Sequence, residues 1–77
     1  PKDSVTLGSI VTVIDLEDNF EEKYEIVGSQ EANPGAGRIS DDSPLGRGLH
    51  GHRAGETVSI DAPVGVLKFK IVSVENK

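Results

Sequence analysis

Cysteine, methionine and tryptophan are absent from this 77-residue chain, and its aromatics are one tyrosine and two phenylalanines. Without thiols there is no disulfide to brace a small fold and no thiolate site for a metal. A cysteine-free composition suits a reducing compartment without requiring one, since many secreted domains also lack cysteine; the location expected for this chain is cytoplasmic. No apolar run approaches the ~20 residues of a membrane-spanning helix. The opening Pro1-Lys2-Asp3-Ser4 lacks the apolar stretch of a signal peptide. With no initiator Met, the sequence is expected to be a processed chain or a piece cut from something longer. Bases are scarce as well: eight against thirteen acids, for a net charge of −5. That balance speaks against non-specific binding to nucleic acid or to an anionic membrane. Phe20, Tyr24 and Phe69 are too few for a base-stacking platform. Seventy-seven residues leave room for one small domain, over residues 1–77, and a hydrophobic share of 35% is low for offsetting its ordering cost. Composition therefore points to a protein partner or a small ligand.

What is present reads as strands around one short helix. Residues 9–16, SIVTVIDL, are rich in β-branched side chains that suit a pleated surface. Residues 23–27, KYEIV, alternate, with Tyr24 and Ile26 facing one way and Lys23 and Glu25 the other. The short link between the two predicts an antiparallel hairpin. Residues 28–38 form a long loop around the turn signal Asn33-Pro34-Gly35, and residues 39–41 a brief extended piece. Ser43 is a good helix N-cap, with Pro44 where the first helical residue should be. The helix is poor, because Gly46 and Gly48 each cost about 1 kcal/mol relative to Ala. Leu45 and Leu49, four apart, are its expected buried pair, and Gly51 or Gly55 its terminator. Two strands follow, over residues 57–62 and 66–74, joined by the turn Pro63-Val64-Gly65. Leu67, Phe69 and Ile71 share one face of the last strand, and Lys68 and Lys70 the other. The expected fold is α+β, a small antiparallel sheet packed against one short helix.

Several clusters invite a chemical reading. His50 and His52 could bind zinc with Glu56, but only two histidines exist and a spacing of two at a helix end points them apart. Asp41-Asp42-Ser43 could suggest acid–base chemistry or magnesium; carboxylates that simply favour a helix start explain them more simply. Ser43, His50 and Asp42 can be written as a triad, yet no nucleophile elbow surrounds the serine. Asp15, Glu17, Asp18, Glu21, Glu22 and Glu25 read as a solvated hairpin, since the spacing of a calcium loop is missing. Gly35-Ala36-Gly37 lacks the context of a phosphate loop. The residues by themselves support a small β-rich binding domain with no catalytic site and no cofactor.

The stretch Ile39-Ser40-Asp41-Asp42-Ser43-Pro44-Leu45-Gly46-Arg47-Gly48-Leu49-His50-Gly51 resembles a signature of the Gre family. That signature runs close to I-S-x-x-S-P-[LIM]-[AG]-[RK]-A-L-[LI]-G and belongs to the C-terminal domain of bacterial transcript-cleavage and elongation factors. The continuation His52-Arg53-Ala54-Gly55-Glu56-Thr57-Val58 is similar to the family's K-x-x-G-D-x-V. Residues 8–28 resemble its V-T-V-x-D-L…Y-x-I-V-G hairpin, and Ala62-Pro63-Val64-Gly65 with Phe69-Lys70-Ile71 its A-P-x-G turn and last strand. The likeness spans residues 7–75. The sequence departs from the pattern at Gly48, usually Ala, and at His50, usually Leu or Ile.

The resemblance implies an FKBP-like fold. It also implies docking at the rim of the secondary channel of bacterial RNA polymerase, on the tip of a coiled coil in the largest catalytic subunit. The docking loop would be Asp42, Ser43 and Pro44, with Ser40, Asp41 and Leu45 as neighbours. Family members promote cleavage with two magnesium-holding acids on an N-terminal coiled coil. No such heptad hairpin exists in these residues, so the domain is expected to bind without stimulating cleavage, as a non-enzyme. The parent would be a Gre factor, an inhibitory paralogue, or a regulator of nucleotide metabolism sharing the domain. Peptidyl-prolyl isomerase activity, which the fold invites, needs an aromatic pocket that three aromatics do not build. A third reading has residues 15–25 contact another protein as an acidic scaffold.

Overall fold

The computed structural model describes residues 4–76. The opening Pro1-Lys2-Asp3, on which the reading of a processed or cut chain rests, lies outside the described residues. The chain forms β1 (Ile10–Asp15), β2 (Phe20–Val27), β3 (Arg38–Ser40), α1 (Pro44–Leu49), β4 (Thr57–Ala62) and β5 (Gly65–Glu75). Single 3₁₀ turns at Ser29–Glu31 and Pro34–Ala36 occupy the long loop before β3. The strands make one sheet in the order β3-β2-β1-β5-β4.

Four of the five strands pair antiparallel, as expected, and β3 adds a parallel edge. The sheet is therefore mixed. The loop of residues 28–37 carries the chain back along β2, so that Ile39 lies beside Ile26 and Ser40 beside Val27. Gly37 makes that return possible. It sits at φ 78°, and a Cβ there would meet the Lys23 carbonyl at 3.1 Å.

The β1–β2 hairpin begins earlier on its second strand than alternation predicts. Phe20, Glu21 and Glu22 pair with Asp15, Ile14 and Val13, although their side chains are exposed. The turn between the strands is built by Asp15, whose Oδ1 accepts the Glu17 N–H at 2.9 Å, while Asn19 adopts φ 55°. On β5 the pairing to β1 slips between Thr12 and Val13, which take Ser73 and Ile71 as partners. Val72 is the bulged residue, and the inward face continues at Val74.

The core is one cluster of Val5, Val11, Val13, Ile26, Ile39, Leu49, Val58, Ile60, Phe69 and Ile71. Full burial of such a side chain contributes roughly 1.5–3 kcal/mol. Helix α1 packs on β4 and β3, the two edges of the sheet, so the curled sheet closes around it. Leu49 is fully buried and Leu45 packs half-buried beside it. Gly48 lets the helix approach, since a Cβ there would fall 1.9 Å from Ile60 Cδ1. The methyl of Ile60 thus fills the volume that an Ala side chain would occupy at this position.

Residues 4–9 carry a packing role that periodicity does not announce. Val5 is fully buried, its N–H donates to His52 O at 2.9 Å, and its carbonyl accepts from Gly51 N–H at 2.9 Å. Ser9, also fully buried, donates its hydroxyl to Asn76 Oδ1, and Asn76 Nδ2 donates to the Ser4 carbonyl at 3.1 Å.

Candidate functional site

Ser40 closes β3, and three residues later the chain enters α1. Each amide on this path has a partner. Asp41 N–H donates to Val27 O at 2.9 Å, Asp42 N–H to Ser40 Oγ at 3.0 Å, and Ser43 N–H to Ser40 O at 3.0 Å. Ser43 Oγ donates to the same carbonyl at 2.7 Å and accepts the Gly46 N–H at 3.1 Å, which makes it the N-cap. Pro44 sits in the first helical turn, where its fixed φ suits the helix and its missing N–H costs nothing. The close return of α1 onto the loop requires Gly46, because a Cβ there would lie 2.1 Å from Ser40 O.

The loop is stiff through its own bonds, and its side chains divide accordingly. Ser40, Ser43 and Leu45 are half-buried, whereas Asp41, Asp42 and Pro44 are exposed. The six residues expected to form a docking loop therefore make one continuous turn with an outward face. Arg47 joins them; the motif marks its position as basic without placing it among the docking residues. Its Nε–H donates to the Asp42 carbonyl at 3.0 Å, and its Nη2 stands 3.8 Å from Asp42 Oδ1. A basic residue five positions after an exposed acid, across a helix N-cap, is the signal that could have found it.

The other candidates are placed elsewhere. Ser43 Oγ is committed to Ser40 and Gly46, and His50 is the exposed C-cap of α1. His52 Nδ1 meets Glu56 Oε1 at 2.9 Å, and Arg53 N–H donates to Glu56 Oε2 at 2.9 Å. The hydrogen bond from His52, followed by that from the Arg53 backbone, holds the Glu56 carboxyl below its ordinary value. Among the described residues no group of three or more His, Cys, Asp or Glu is placed to hold a metal ion. Phe69 belongs to the core and Phe20 is 60% exposed. Tyr24 OH donates to Glu22 Oε2; burial, and then that acceptor, push the phenol up to about 12. No helix of the described residues is long and apolar enough to cross a membrane.

The motif and its geometry have a counterpart in known proteins. The family model described as transcription elongation factor, GreA/GreB, C-terminal, matches residues 1–76. This chain belongs to that family. The Gre domain is 53% identical over 70 residues to transcription elongation factor GreA of Listeria welshimeri, covering 91% of this chain and 44% of that protein. It is 47% identical over 72 residues to GreA of Caldanaerobacter subterraneus, covering 94% of this chain and 46% of the relative. The chain thus spans slightly under half the length of these relatives. Among solved structures it is similar to GreA factor homolog 1 of Thermus thermophilus, with a TM-score of 0.83 and 34% identity over 97% of this chain and 50% of that one. The GreA/GreB factor of Nitrosomonas europaea superposes with a TM-score of 0.76 and 28% identity over 96% of this chain and 62% of that one. The FKBP-like α+β fold implied by the sequence motif is the fold of this domain.

Proposed function

We propose that this Gre domain is a docking module for bacterial RNA polymerase within a transcription elongation factor. Its loop of residues 40–45 grips the coiled-coil tip of the largest catalytic subunit at the rim of the secondary channel. The observation that carries the reading is the turn itself, with Asp42 and Pro44 turned outward from a backbone whose amides are already bonded within the domain. Such a loop loses little conformational freedom on binding, which keeps the entropic cost of association low. Membership of the GreA/GreB family supports the choice of partner. The net charge of −5 suits a basic target and favours fast encounter more than tight binding. In this reading the domain performs no chemistry. It positions whatever else the factor carries.

The test is titration of the domain against bacterial core RNA polymerase beside Pro44→Asn and Asp42→Asn. Saturable binding by the parent sequence is expected, with binding at least about tenfold weaker but still measurable in both variants and an unchanged circular dichroism spectrum. A folded Pro44→Asn variant that binds as well as the parent sequence sinks the assignment of the loop.

A further inference from the structure

The geometry points to Arg47 as the positioning residue of the docking loop; this rests on the docking function proposed above. Arg47 lies on the outer side of α1, its side chain 71% exposed, so no core packing demands it. Its guanidinium instead reaches back to Asp42 and touches that residue twice, once at the carbonyl through Nε and once near the carboxylate through Nη2. The amide of Asp42 is meanwhile held by Ser40 Oγ. Asp42 is therefore pinned on both of its peptide planes while its side chain stays 79% exposed.

The two distances assign two jobs. At 3.0 Å the Nε contact is a hydrogen bond and fixes the backbone. At 3.8 Å the Nη2 contact is an ion pair without a hydrogen bond. It biases the direction of the carboxylate and leaves its oxygens open to a cationic group of a partner. A partner can take the carboxylate while the Nε bond persists. The planar fork of arginine provides both contacts from one rigid group, and a lysine ammonium, being a point charge on a flexible stem, does not. The Arg47 N–H in turn donates to the Ser43 carbonyl at 2.9 Å, so the clasp is tied to the helix that carries it.

The experiment has two arms on the 77-residue chain. In the first, amide hydrogen exchange is followed by NMR in Arg47→Gln and Arg47→Lys. Exchange at Asp42 is expected to quicken at least about threefold in both variants while core amides such as Ile71 stay unchanged. Unchanged exchange at Asp42 overturns the role. In the second, the parent sequence, Arg47→Gln, Asp42→Asn and the double variant are titrated against core RNA polymerase. Arg47→Gln alone should weaken binding roughly fivefold, and by less than about twofold once Asp42 is Asn, because a residue that acts through Asp42 has nothing left to position. Arg47→Lys should follow Arg47→Gln. An equal loss in both backgrounds, or full binding by Arg47→Lys, overturns the positioning role and leaves the docking function standing. Full binding by Asp42→Asn overturns the Arg47 role and the assignment of residues 40–45 as the contact together, and absence of saturable binding by the parent sequence overturns the docking function itself.

Discussion

At the end of the sheet where β2 and β3 finish, residues 40–47 spend their polar groups on one another: hydroxyl on carbonyl, amide on hydroxyl, guanidinium on carbonyl. At the opposite end lie the β1–β2 and β4–β5 turns, the first bonded to β5 where Leu16 N–H donates to Lys68 O. There Leu16, Phe20, Val64 and Val66 stand exposed among acids. The first end buries apolar side chains beneath a closed polar turn. The second holds its shape chiefly by strand pairing, with one local brace where Asp15 Oδ1 accepts the Glu17 N–H, and leaves its apolar side chains in water. A turn whose polar atoms are satisfied internally can present a fixed face. A turn that leans on the ladder has no such constraint on what its side chains do.

The largest test of this contrast is Leu49→Ala, which should cost about 2–5 kcal/mol, against less than about 0.5 kcal/mol for Val64→Ser. Urea unfolding of the two variants side by side measures it, and equal losses would break the comparison. Gly46→Ala comes next. Its Cβ meets the Ser40 carbonyl, a backbone atom, and a loss of about 1–3 kcal/mol is expected by the same method. Ser43→Ala removes the N-cap acceptor and should cost ~1 kcal/mol. Gly48→Ala differs from Gly46→Ala because it meets only the tip of Ile60. Combined with Ile60→Val, it should be better tolerated than alone by roughly 0.5–1 kcal/mol in a double-mutant cycle. Additive effects would mean that the helix relaxes away from β4.

Away from the turn of residues 40–47 the effects are smaller. The raised Tyr24 phenol favours the protonated form in the fold, so its contribution is complete below pH 10 and fades between 10 and about 12. Ultraviolet titration should find the phenol near 12, and Tyr24→Phe should flatten that limb of the stability profile. Glu56 has the opposite sign. Its carboxyl is depressed in the fold, so its contribution is present above the unfolded value and is lost as pH falls through the folded one. His52→Ala should reduce that acid-side loss in unfolding curves recorded down the acidic range, the Arg53 N–H keeping the remainder. Least affected of all should be polymerase binding on charge reversal of Glu17 and Asp18, which stays within about twofold if the hairpin is only solvated surface. A larger loss would promote the acidic hairpin to a contact.

Elements whose signals are local were readable before any coordinates. Ser43 and Pro44 mark the start of α1 by cap chemistry, and Gly51 follows its C-cap at φ 83°. The inward rows Val58–Ile60 and Leu67–Ile71 follow from alternation, as does the outward placing of Lys68 and Lys70. What depends on a distant partner was not. The Phe20-Glu21-Glu22 run has no alternation of apolar and polar residues, and only the facing β1 makes it a strand. The parallel pairing of β3 needs a return loop whose path no three-residue stretch announces. Val5 sits in a mostly polar segment, and its place is set by backbone bonds to Gly51 and His52, more than forty residues away. Within the site, the loop was found through its motif, which also marks position 47 as basic, but the role of Arg47 escaped because it lies in a contact made across the cap rather than along the helix.

The clasp between Asn76 and residues 4 and 9 makes the domain nearly a closed ring. Its two ends are joined by hydrogen bonds through side chain and backbone, while the exposed Pro63-Val64 turn lies far along the chain from that seam. A covalent link across the clasp and a new opening at Val64 would cut none of β1, β2, β3 or the turn of residues 40–47, and would loosen only the Ala62–Gly65 end of the β4–β5 pair. The order in which the chain is threaded is thus separable from the shape it keeps, and the domain can in principle be hung from either seam without disturbing the face it presents.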